Sequence, residues 1–163
     1  MTPPLLLWYP LEDCTLVYTY GDPEVPGPAV AERVFRRARE QGGEWLGEME
    51  ETIRSERGAQ RAVIELRVSA EEVQEGPTVI LRAPTAAGTA WTDGPDDWRI
   101  DAVGVAVTVP AGTFHQCLRV VYTNEDIGGG VLWLAQGIGM VKHERYGERG
   151  PFLYELQTVK LPS

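Results

Sequence analysis

A chain of 163 residues with 43% hydrophobic and 24% charged content has the composition of a single globular domain large enough to build its own core. Its 24 Asp and Glu outweigh 15 Lys and Arg, giving a formal charge of -9 and a pI near 4.7. That balance excludes the clustered positive charge that nucleic-acid backbones need, and it disfavours anionic membrane surfaces for the same reason.

Leu5 to Tyr9 reads as an entry segment, and Cys14 to Tyr20, rich in β-branched and aromatic residues, as the first strand. Gly21 to Pro28 carries three prolines and two glycines and reads as a loop. Ala29 to Arg54 has two meanings. Val30, Val34 and Ala38, then Trp45, Met49 and Ile53, recur every four residues as on helices. The Gly42-Gly43 pair and the alternating segments around it favour two long strands instead, and that is the reading taken here. Ala62, Ile64, Leu66 and Val68 alternate with polar residues, the mark of a strand with one core face and one wet face. Ser69 to Gly76 reads as a polar turn, or one helical turn with Ser69 and Glu72 at capping-box spacing. Thr78 to Arg82 is a short strand, and Pro84 to Pro95 returns to turn chemistry around Trp91.

The longest regular stretch follows. Val103, Val105, Val107 and Val109 alternate toward one side, Pro110-Ala111-Gly112 turns the chain, and Phe114, Leu118, Val120 and Tyr122 continue on one side with Gln116 out of pattern. Asn124 to Gly130 reads as a loop. Val131 to Ala135, Met140 to Tyr146 and Phe152 to Leu161 then read as closing strands. Roughly eight to ten strands with short turns predict an all-β protein over residues 1–163, a sheet, sandwich or barrel with at most one short helix.

Few residues offer chemistry. Cys14 and Cys117 are too few for a disulfide framework; they could pair across the fold, but two free thiols packed as small apolar groups is the favoured reading. His115 and Cys117 share a strand face and, with His143, form the one candidate ligand set for zinc and a metal-assisted hydrolase. Asp93, Asp96, Asp97 and Asp101 lack the grammar of a calcium loop, and Glu48, Glu50 and Glu51 read as a solvated face rather than as glycosidase carboxylates. Gly128-Gly129-Gly130 lacks the Lys and the hydroxyl residue of a phosphate loop. No cofactor is implied. No apolar run approaches the roughly 20 residues that span a bilayer, so no membrane insertion is expected. No basic region precedes Leu5, which places the chain in the cytoplasm, or outside it if a leader has been removed.

Three motifs, Pro84-x-x-x-Gly88-x-x-Trp91, Val109-Pro-Ala-Gly-Thr-Phe-x-x-Cys117 and Trp133-x-x-x-Gly137-x-Gly139-x-Val141-Lys142-x-Glu144, resemble those of a bacterial family of unknown function that is often exported or lipid-anchored. The resemblance covers about residues 77 to 160 and departs at Gln136, where the family has Pro. It implies a strongly curved sheet, similar in shape to the half-barrel of lipoprotein carriers, and it carries over no catalytic residue. A concave sheet face needs a cover. The expected function is therefore a non-enzymatic binding or scaffold domain whose apolar concave face is covered by a small hydrophobic ligand, by loops or by a second protomer in a homodimer, with Trp91 and Trp133 as candidate ligand contacts.

Overall fold

A computed structural model describes residues 4–124, 128–147 and 150–161. The Leu-rich entry makes a short 3-10 helix, Pro4–Leu7, and nearly everything after it is strand: β1 Cys14–Asp22, β2 Val25–Gln41, β3 Glu44–Ser55, β4 Gly58–Val68, β5 Glu72–Glu75, β6 Thr78–Arg82, β7 Ala90–Asp93, β8 Asp96–Val109, β9 Gly112–Asn124, β10 Gly128–Ala135, β11 Gly139–Gly147 and β12 Gly150–Lys160. All pairings are antiparallel, in one 12-stranded sheet of order β6-β5-β4-β3-β2-β1-β12-β11-β10-β9-β8-β7. The first and last strands lie side by side at its centre. Its two edges, β6 and β7, are consecutive in the chain, so the sheet curls until it is nearly closed into a barrel.

The seam between those edges is made by side chains instead of a ladder. Trp91 donates its indole N–H to the Val79 carbonyl at 3.1 Å, and the Val79 amide donates to Asp93 Oδ2 at 3.3 Å. An edge strand whose backbone groups are satisfied in this way presents less of a template for further pairing.

The ambiguous stretch from residue 29 to 54 is β2 and β3, joined at Gly42 and Gly43, whose φ values of 62° and 85° favour glycine. The inward face of β2, however, is not that of Val30 and Val34; of the three only Ala38, beyond the register shift between Arg36 and Arg39, packs against the core. Ala29, Ala31, Arg33 and Phe35 are buried, and Val30 is 38% exposed. The turn expected at residues 69–76 holds β5, and Ser69 caps a turn, accepting from the amides of Glu71 and Glu72 at 3.2 and 3.1 Å, without starting a helix. Trp91, expected in a turn, lies in β7, and Gly128 to Gly130, expected in a loop, open β10. In the β8–β9 hairpin the alternation slips at Gly104 and Gln116, both with positive φ, so Val107 and Val109 are buried and Val103 is 47% exposed. The slip lets the hairpin tip reach β12. There the Ala111 amide bonds the Leu156 carbonyl at 2.9 Å, next to the bulge at which β12 slips against β1.

One end of the barrel is stoppered. Leu5, Trp8, Tyr9 and Leu11 are all buried, the Gly137 amide donates to the Leu7 carbonyl at 2.8 Å, and Tyr9 packs edge-on against Phe35 at 6.1 Å between ring centroids. Among the described residues, the burial of β4 shows the opposite end to be open. Leu66 and Val68, nearest the stopper, are buried, Ile64 is half-buried, and Ala62 on the same face is exposed. Alternation predicts which face looks inward; only closure of the ends decides how far along a strand that face is dry.

Candidate functional site: the open end of the barrel

Behind the open end lies a cleft of about 750 Å3. Its walls carry Ile64 and Ile80 on one side and Leu132, Trp98 and Tyr122 on the other, with Glu24, Asp96, Asn124 and Arg145 also in the lining, and its floor holds Arg33, Glu75, Met140 and His143. This size suits a small amphipathic molecule.

One wall is a ribbon of aromatic rings set by strand register. Trp91 pairs with Trp98, Trp98 with Tyr122, His143 with Tyr154 and Tyr154 with Tyr20 across successive strands. Neighbouring ring centroids are 6.0, 4.4, 5.9, 5.9 and 4.9 Å apart along the series Trp91, Trp98, Tyr122, His143, Tyr154, Tyr20. The ribbon crosses β10 at Gly130. A Cβ there would fall against the Tyr122 phenol and the Glu144 carbonyl, so glycine is what lets Tyr122 lie across the sheet. The Tyr122 hydroxyl reaches His143 Nε2 at 2.7 Å.

The floor is ionic. Arg33 is 7% exposed; its Nε donates to Glu51 at 2.6 Å, and Nη1 lies 3.7 Å from Glu75 and 3.8 Å from the Met140 sulfur. Register explains the first contact, since Arg33 is directly opposite Glu51. Tyr9 donates to Glu75 from the stopper, and Tyr154 donates to Glu51 at 3.3 Å. The guanidinium carbon sits 5.3 Å from the Tyr154 ring centroid and 5.6 Å from that of Tyr18, within cation–π range. Burial pulls the Arg33 pKa down, and Glu75, Tyr18 and Glu51 more than offset it, so the group is held firmly as a cation. Burial also pushes the Tyr9, Tyr18 and Tyr154 phenols up, and Tyr122 to about 12.

His143 is held neutral. Burial first, then the charges of Arg33 and Arg145, lower its pKa to about 3. The unfolded chain would bind this proton near pH 6.5 and the folded chain only near pH 3, so the contribution is whole above pH 6.5 and is lost as pH falls toward 3. We expect urea-melt stability to fall by up to about 1.4 kcal/mol per pH unit from this one group between pH 6 and 4. In His143→Phe that part of the acid slope should vanish; an unchanged slope would show that His143 is not the group responsible.

The sequence candidates are dispersed by the fold. Trp91 is buried on the inward face at the seam, 8% exposed. Trp133 lies on the other face of β10 from the buried Leu132 and Leu134, with Lys142 Nζ 5.1 Å from its ring centroid, so the two tryptophans do not share a face. His115 is exposed on β9, Cys117 is buried with its thiol pKa raised by burial, and His143 is on the barrel floor. Among the described residues no three His, Cys, Asp or Glu side chains gather as a metal site, so the zinc set of His115, Cys117 and His143 is not assembled. Cys14 and Cys117 are free thiols. Glu48 and Glu50 pair with surface arginines and Glu51 turns inward to Arg33. Asp93 caps the seam and Asp101 pairs with Arg119 at 2.9 Å. Neither Arg33 nor Glu75 stands out as a site residue in the sequence, and Glu51, which reads there as part of a solvated face, is instead drawn inward by Arg33. The one signal for them was an arginine flanked at two-residue spacing by Ala31 and Phe35.

No family model and no curated protein matches the chain. Two solved structures share its fold: a "putative exported protein with YmcC-like fold" from Bacteroides fragilis, with 14% identity and a TM-score of 0.64 over 91% of this chain and 96% of that one, and a "putative lipoprotein" from Parabacteroides distasonis, with 15% identity and a TM-score of 0.60 over 91% and 95%. At these identities the likeness is one of fold. Among the described residues no helix is long and apolar enough to cross a membrane.

Proposed function

We propose that this protein is a non-enzymatic binding domain that takes a small, largely apolar molecule into the open end of its barrel. The observation that carries the reading is the asymmetry of the two ends. The chain spends its own Leu5, Trp8, Tyr9 and Leu11 to fill one end and leaves about 750 Å3 of aromatic and aliphatic cleft at the other. Apolar walls recover the hydrophobic free energy of a ligand roughly in proportion to the area buried, and among the described residues no cluster of His, Cys, Asp and Glu gathers there to hold a metal. The exported and lipoprotein descriptions of the two fold neighbours support placing the protein outside the cytoplasm.

Binding of N-phenylnaphthylamine, which fluoresces in apolar surroundings, tests the reading. Thr78 lines the cleft and is half-buried, so Thr78→Trp fills space without removing a buried contact. The probe is expected to bind the parent protein and to bind Thr78→Trp about tenfold or more weakly, a difference of about 1.4 kcal/mol, with the circular dichroism unchanged. Equal binding to both proteins, or none to the parent, would refute it.

A further inference from the structure

Half of β4 has a neighbour on one side only. It pairs with β3 along its whole length, from Val68 opposite Trp45 to Gly58 opposite Ser55, without a shift of register, whereas on its other side β5 reaches only Leu66, Arg67 and Val68. The Gly76 amide donates to the Glu65 carbonyl at 2.7 Å, and there the pairing ends. Backbone groups facing one edge of an antiparallel strand recur at every second residue, so those of Val63, Arg61 and Ala59 face the same way as the Glu65 carbonyl. Among the described residues nothing bonds to them on that side. Residues 58–63 are all exposed, Val63 at 54%.

Proteins commonly blunt such an edge with Pro, Lys or a bulge, and Gly58 to Ile64 has none of the three. Its one charge, Arg61, is turned back across the sheet to Glu50 at 2.7 Å. What fits a regular ladder edge is an extended polypeptide, whose own backbone repeats a donor and an acceptor at the same spacing. A second copy of β4 fits poorly. Gly76 fills the place beside Glu65, so two copies could overlap only between Gly58 and Ile64, well short of the roughly 1,000 Å2 that a stable interface needs. A free segment fits because the edge borders the cleft. Residues opposite each other on neighbouring strands point to the same face, and Ile64 lines the cleft together with Pro77 and Thr78. Ala62, on the face of Ile64, is small and exposed, so a large side chain opposite it has room to enter beside Ile64.

We propose that β4 takes up an extended peptide segment along Gln60 to Ile64 as an added antiparallel strand, with an apolar or aromatic side chain opposite Ala62 set into the cleft. The seat of that anchor rests on the reading of the cleft as a ligand site; the pairing stands on the edge itself. The partner is thereby a polypeptide, read by its backbone and by one side chain.

The test uses fluorescein-labelled Val-Thr-Phe-Thr-Val-amide, with binding read by fluorescence anisotropy. With phenylalanine opposite Ala62, the two threonine amides face Val63 and Arg61 and the phenylalanine amide faces away. N-methylation of both threonine amides should weaken binding about tenfold or more, the factor for lost backbone hydrogen bonds, and N-methylation of the phenylalanine amide should leave it unchanged. Val63→Pro should weaken the unmodified peptide by a similar factor. The Val63 amide faces the free edge, so proline there takes nothing from the ladder with β3, and the variant should keep the circular dichroism of the parent and its binding of N-phenylnaphthylamine. The peptide should also displace that probe from the parent. Binding that ignores which amides are methylated, or that survives Val63→Pro, would overturn the strand addition, and binding without displacement of the probe would overturn the anchor. No peptide bound, with a dimer of the parent that Val63→Pro abolishes, would give the edge to a second copy. The two readings fail separately: a parent protein that never binds N-phenylnaphthylamine strikes the cleft and its anchor, while the methylated peptides still decide the pairing.

Discussion

Arg33→Met should lower the stability of the protein by about 3 to 5 kcal/mol, the usual consequence of removing one partner from a buried ion cluster. The methionine fits the space, so packing is not the cause. Glu51 and Glu75, with side chains 14% and 19% exposed, would be left without their cation on the inside of the barrel. For a domain of this size the loss corresponds to a drop in Tm of roughly 10 °C. Adding Glu51→Gln and Glu75→Gln should restore most of it, because a cluster removed whole leaves no uncompensated charge. Chemical melts of the single and triple variants separate this account from simple loss of contact, in which the three substitutions would each cost and the triple variant would be the least stable.

The second large effect is expected where no side chain exists. Gly130→Ala should cost about 3 kcal/mol, the upper range for overpacking, because the new methyl group would lie against the Glu144 carbonyl of β11 and the ring of Tyr122. The ring can swing away but the carbonyl, held in the ladder, cannot. As the ring moves, Tyr122 loses its hydrogen bond to His143 and uncovers the imidazole, and because burial is the largest cause of its lowered pKa, that pKa should climb from about 3 toward its ordinary value. Nuclear magnetic resonance of the imidazole reports the second effect and denaturant melts the first. A variant within about 0.5 kcal/mol of the parent, with His143 still neutral at pH 5, would show that Gly130 is a neutral spacer.

These two residues also show where sequence reasoning succeeds and stops. The alternation of Ala62, Ile64, Leu66 and Val68 and the turns at Gly42-Gly43 and Gly112 are enough to expect an all-β protein of antiparallel strands, because both signals are local, whereas the curvature is implied only by the resemblance of the motifs in the second half. Arg33 is the opposite case. An arginine in a strand reads as a wet-face residue, and the partners that make its burial tolerable, Glu51 and Glu75, lie 18 and 42 positions away and meet it only through the pairing of β2 with β3 and the curl of the sheet. The glycine run at 128–130 reads as a loop for the same reason, since what occupies the missing side-chain space is Tyr122 on the neighbouring strand. Trp91 looked like a loop aromatic amid Pro and Gly, yet it is the clasp of the seam. Closure of a barrel is a long-range property, and the residues that serve it carry no local mark. The stoppered end was hidden likewise: Leu5 to Leu11 are too few to announce an element, and they matter because of the hole they fill.

The most direct test of a barrel stoppered at one end and receptive at the other is a crystal structure of the protein grown with a methyl ester of a bromine-terminated decanoic acid. The account predicts one strong anomalous bromine peak inside the barrel, in the cleft lined by Ile64, Ile80 and Leu132. A bromine found only on the outer face, or an interior filled entirely by the protein's own side chains, would contradict it.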